Sequence, residues 1–101
     1  MIIKWSKKAD LDLRKIFKNF EYSYNNSYAK DLVLELENRT LVLIDFPFLG
    51  QKEELLSSRK ENFRYLVEGN YKIIYWIDDE VIRIVSIFDT RQNPEKLTNL
   101  D

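Results

Sequence analysis

Two cations stand out for the company they keep. Lys72 sits inside YKIIYWID, a run otherwise rich in Ile and aromatic residues, and Arg91 follows the apolar VIRIVSIF in the tail DTRQNP. Brought onto one face of a small sheet, they would form a basic site. The chemistry open to such a site is narrow. The chain contains neither Cys nor His, so it has no thiolate and lacks the commonest general base and the commonest zinc ligand. Any reaction would fall to Lys, Arg, Tyr, Asp and Glu. Asp78, Asp79 and Glu80 cluster three carboxylates, but without a Gly-containing loop or further ligands they read as a solvated turn. No metal and no cofactor is expected. The plain alternatives are that Lys72 is a strand lysine with a solvated head and that Arg91 pairs with Asp89 or Glu95.

The elements that must position these residues belong to one domain spanning 1–101. A chain of 101 residues with 45% hydrophobic content supports a single core. Two Gly and two Pro leave little room for linkers, and no internal repeat is visible. Sixteen Lys and Arg stand against seventeen Asp and Glu, a formal net charge of −1. Nucleic-acid binders usually carry a basic excess, because neutralising phosphate supplies most of their affinity. Here any such binding would need local clustering of charge. No apolar run is long enough to span a bilayer, so no membrane partner is expected. In MIIKWSKK the lysines follow a short apolar stub, the reverse of a secretory signal. With the absence of Cys, this suits a cytoplasmic protein.

Ile2–Trp5 reads as an opening strand and Ser6 as the N-cap of a helix. Ala9, Leu13, Ile16, Phe17 and Phe20 recur at helical spacing. YSYNNS breaks the pattern, and Asn25 or Asn26 would cap a second helix with Ala29, Leu32, Val33, Leu36, Thr40 and Leu43 on one face. The predicted helices run over Ser6–Asn25 and Asn26–Phe46 and form an antiparallel hairpin. Phe46-Pro47 ends the second, since a residue before proline is pushed out of the helical region. Leu34, Leu41, Val42 and Ile44 lie partly outside its stripe, as a widened apolar face or as a groove for another chain. Beyond the turn at Gly50 and the polar run QKEELLSSRKEN, alternation predicts strands at Phe63–Glu68, Tyr71–Ile77 and Val81–Phe88. Gly69-Asn70 and Asp78–Glu80 are the turns between them. The fold class is α+β: a helical hairpin packed on a small, mainly antiparallel four-stranded sheet.

The hairpin stripe, the FPFLG link and the block FRYLVEGNYKIIYWIDDEVIRIVSIFDTRQNP, in this order, resemble the RelE/ParE superfamily of toxins from type II toxin–antitoxin modules. The resemblance covers Ile2 to Leu97. It implies a small bacterial toxin neutralised by a cognate, co-encoded antitoxin wrapped around it, hence a hetero-oligomer. RelE-like members cut messenger RNA on the ribosome; ParE-like members poison DNA gyrase and block replication.

Cutting RNA without His needs cations around the phosphorane and an acid for the leaving oxygen. The resemblance places Lys72 where the nucleases carry a sheet Arg, Arg91 near a second Arg, and Arg64 near a further basic position. The positions around Tyr65 and Val67, where a nuclease would add cations, are aromatic and aliphatic. No Tyr or His follows Arg91, which leaves Lys96, or a Tyr such as Tyr65 or Tyr75 if it shared the face. The long hairpin ending in FPFLG looks more like the ParE branch. The expected function is therefore gyrase inhibition, with RNA cleavage or an inactive antitoxin-binding remnant as alternatives. The expected antitoxin contacts are Leu34, Leu41, Val42 and Trp76.

Overall fold

Ser6 both ends the first strand and starts the first helix. In the computed structural model, which describes Met1–Asp101, its backbone is extended and its hydroxyl accepts from the Ala9 N–H at 3.1 Å. This satisfies one of the amides that a helix start leaves free. Strand β1 (Ile2–Trp5) leads through it into α1 (Lys7–Ser23), and Asn25 caps α2 (Asn26–Thr40) in the same way through Tyr28 N–H. The five strands are completed by β2 (Gln51–Lys52), β3 (Arg64–Glu68), β4 (Tyr71–Asp78) and β5 (Val81–Asp89), in the spatial order β1-β5-β4-β3-β2. All neighbours are antiparallel except β1 and β5, which run parallel. The β3-β4-β5 meander follows from connections too short for a crossover. Gly69 (φ 57°) and Asp79 (φ 56°) supply the left-handed residue that each tight turn requires.

Two expectations need correcting. The sheet has five strands rather than four, because Gln51–Lys52, inside the run read as polar loop, pairs with Arg64 and Tyr65. Helix α2 stops at Thr40 rather than Phe46, and Leu41–Ile44 continues as a 3-10 turn. The Thr40 hydroxyl donates to Glu37 O at 2.7 Å, competing for a helix carbonyl. The β-branched Val42 and Ile44 then follow, and a tightened last turn is a common way to end such a segment.

The sheet is buried on both faces, as its two-sided apolar strands require. On one face the helical hairpin lays Ala9, Leu13, Ile16 and Leu36 against Ile73, Tyr75, Ile82 and Ile84. On the other, Leu56 and Leu97 cover Phe63, Ile74 and Phe88. Those two leucines come from 3-10 turns, Glu54–Leu56 and Pro94–Thr98, opened by the side chains of Glu53 and Asn93. The tail is thus part of the fold. β1 pairs with β5 only as far as Ile84. Beyond that point α1 takes over the edge: Asp12 Oδ2 accepts from Ile87 N–H at 3.0 Å and from the Ser86 hydroxyl at 3.2 Å, and pairs with Lys8 at 2.7 Å. No helix is long and apolar enough to cross a membrane.

Candidate functional site

Side chains alternate across β4, so consecutive residues there serve different faces. Tyr71 faces the helices, and Lys72 faces the smaller cluster. Lys72 Nζ lies 2.8 Å from Glu53 Oε2 and 4.2 Å from the centroid of the Tyr65 ring. Glu53 is almost fully buried and also accepts from Leu55 N–H. The ammonium is therefore engaged in holding the link after β2 onto β4.

Arg91 stands on the helix side. It grips Asp89 in a bidentate pair, Nε to Oδ1 at 3.0 Å and Nη2 to Oδ2 at 2.8 Å. That bond holds the Asp89 carboxyl below the usual carboxylate range, partly opposed by its burial. The pair closes one end of a cleft of about 280 Å³ between α1 and the end of β5, with Lys15, Asn19, Phe20 and Tyr71 on its walls. The Tyr71 phenol is pushed above its ordinary value by burial and then by the Asp89 charge. At the hairpin tip beside this cleft, Phe20, Tyr24 and Tyr28 cluster with ring centroids 5.2–5.7 Å apart, Phe20 and Tyr24 stacked and Tyr28 tilted against both.

Arg64 does something else again. Its Nη1 donates to Gly50 O at 2.7 Å and to Phe48 O at 3.3 Å, with the guanidinium 5.2 Å from the Phe48 ring centroid. Its cross-strand partner Tyr75 completes the clamp. The Tyr75 hydroxyl donates to Pro47 O at 2.8 Å and accepts from Gly50 N–H at 2.9 Å. Burial raises the Tyr75 pKa, and the Gly50 N–H bond opposes the rise. Gly50 is required by close approach: a Cβ there would lie 2.6 Å from Tyr75 Oη and 2.8 Å from Tyr65 O. The FPFLG link is a clamped loop.

The three candidate cations are thus not brought together. Lys72 and Arg91 lie on opposite faces, each with a carboxylate, and Arg64 anchors the loop. Tyr65 comes close to Lys72, whereas the Tyr75 hydroxyl is fully spent on the loop.

A family model described as "ParE toxin of type II toxin-antitoxin system, parDE" matches residues 3–94. The chain belongs to the ParE toxin family. A solved structure described as "Chromosomal ParDE TA system from P. aeruginosa" shares its fold, with a TM-score of 0.75 at 19% identity over 88% of this chain and 95% of that one. A search of curated proteins finds no match.

In this ParE-family toxin the apolar candidates divide. Leu34 and Leu41 are each 54% exposed. Val42 is half-buried against the main core, and Trp76 is half-buried with its ring edge-on to Phe63, centroids 6.5 Å apart. Leu41 and Ile44, both read from the sequence as outside the helix stripe, are followed by exposed apolar residues that sequence reasoning did not single out as a surface: Phe46, Phe48 and Leu49. The available signal was the composition of FPFLG, where two Phe and a Leu occupy a turn that solvation alone would fill with polar residues.

Proposed function

We propose that this ParE-family toxin arrests growth by inhibiting DNA gyrase in the cytoplasm. In this reading a cognate antitoxin restrains it in a hetero-oligomer through contacts that include Leu34, Leu41, Val42 and Trp76. The observation that carries gyrase inhibition over RNA cleavage is the dispersal of the cations. Stabilising a phosphorane requires positive groups converging on one point, with an acid at hand. Here Lys72 is bound to Glu53, Arg91 to Asp89, and Arg64 to two carbonyls on the loop. The near-neutral net charge of the chain supports the same choice. Exposed leucines beyond the core-facing stripe of α2 support a protein partner.

The test places purified toxin with gyrase and supercoiled DNA and, separately, with translating ribosomes. Gyrase-dependent DNA breaks, with message left intact, are expected. Message cleavage that disappears in Lys72→Ala and Arg91→Ala would replace this reading with RNA cleavage. Normal growth and replication after induction would instead mark an inactive antitoxin-binding remnant.

A further inference from the structure

We propose that the cleft beside the clamped loop seats an acidic segment of the antitoxin that carries a large apolar side chain. This deepens the antitoxin half of the proposed function and rests on it. The cleft has a volume of about 450 Å³; Phe48, Phe63 and Trp76 form its apolar walls, and Lys52, Lys60 and Arg64 supply its charge.

Charge complementarity selects the occupant. The ion pairs of the protein use Lys8, Lys72, Arg83 and Arg91, and none uses Lys52, Lys60 or Arg64. The bonds from Arg64 to two carbonyls leave its charge uncompensated. Glu61 is the single carboxylate on the cleft wall. In a chain with a net charge of −1, this aromatic cleft therefore carries three cations without an ion-pair partner against one carboxylate. An acidic segment is drawn to it, and a basic one is repelled. Phe48, 66% exposed, offers apolar area at its mouth. The outer edge of β2, the last strand of the sheet, is unpaired next to Lys52. An extended segment can therefore add main-chain hydrogen bonds while placing alternate side chains in the cleft.

A single-stranded nucleic acid also likes cations and aromatic faces, but it needs a basic track along its backbone. Here the loop that bears Phe48 continues along the chain with the exposed apolar residues Phe46 and Leu49 and adds no cation. A protein segment fits that continuation.

The test follows Trp76 fluorescence in a Trp5→Phe background. The probes are a short synthetic peptide alternating Asp or Glu with Phe or Leu, its counterpart with Lys in place of the acids, and an oligouridylate of equal length. The acidic peptide should bind, weaken with salt, and lose roughly tenfold in affinity to the Lys52→Glu/Lys60→Glu variant. Both lysines are exposed, and circular dichroism checks that the variant folds. The Lys18→Glu/Lys30→Glu variant, with the same change in charge elsewhere, should bind like wild type. Failure of the acidic probe to bind, equal binding of the basic probe, or tighter binding of the oligouridylate overturns the proposal. The same variants are then titrated with the product of the gene encoded beside this one. Binding as tight to Lys52→Glu/Lys60→Glu as to wild type overturns the cleft and leaves the antitoxin reading standing. No binding to wild type overturns the antitoxin reading itself.

Discussion

On one face of the sheet, helices of 17 and 15 residues cover a cluster of 12 buried side chains; on the other, turns of three and five residues cover a cluster of five. The first face needs no charged group at its centre, because two amphipathic helices supply a continuous apolar layer. The second has too little chain for that. It adds a buried carboxylate, Glu53, matched to Lys72, and leaves a basic aromatic cleft along its margin. One face is closed by burial and the other is closed in part by electrostatics. The open margin lies where the apolar cover runs out.

The sharpest way to break this comparison is to cut the same side chain on each face. Leu36→Ala in the larger cluster should cost about 2–5 kcal/mol, since helices on a sheet collapse poorly into a cavity. Leu97→Ala should fall near the lower end of that range, because a short tail turn can relax. Urea unfolding measures both, and equal costs would show that the faces are equally rigid.

Next in size is the ion pair. Glu53→Ala leaves Lys72 without its carboxylate and should cost roughly 3 kcal/mol, moderated by the partial exposure of the lysine. Replacing both partners, as Glu53→Leu/Lys72→Met, should recover most of the loss, since a matched apolar pair avoids desolvating charge. No recovery would mean that the pair specifies the local structure beyond neutralising itself.

The clamped loop gives a smaller effect. Gly50→Ala must displace the Tyr75 ring or the β3 backbone and should cost about 1–3 kcal/mol. Tyr75→Phe removes the donor to Pro47 O and the acceptor of Gly50 N–H and should cost about 1–3 kcal/mol. Because both act on one contact, the double variant should lose less than the sum of the single ones.

The smallest effect is electrostatic and exposed. The folded-state pKa of Asp89 is depressed by Arg91. Its contribution is therefore present above the unfolded carboxyl value of about 3.9 and is lost as pH falls through the lower folded value. Thermal unfolding of wild type and Arg91→Ala should differ slightly near neutral pH and converge in acid. The gap should shrink with added salt, since solvent screens an exposed pair.

The sequence by itself carried the elements whose physics is local. Ser6 and Asn25 as caps, the 3.6-residue stripe from Ala9 to Ile16, the alternation from Tyr71 to Ile77 and the Gly69 turn each depend on neighbours a few residues away. Together they determined the hairpin, the three-strand meander and the ParE-like order of parts. The end of α2 was harder to read, because Leu41–Ile44 stays apolar while its hydrogen bonds tighten.

What only the tertiary structure decided is which distant groups meet. Lys72 and Arg91 look like partners in the chain, yet they project to opposite sides of the sheet. Arg91 takes Asp89, a near neighbour the sequence already offered, whereas no spacing rule assigns Glu53 to Lys72 from 19 positions away. QKEELL reads as solvated because its composition is polar, but Glu53 and Leu56 are buried once β2 pairs with β3. The role of Gly50 depends on the Tyr75 hydroxyl arriving from 25 residues away. Burial and charge pairing are set by the summed surroundings of a side chain, and for these residues the surroundings are brought together only by the folded sheet.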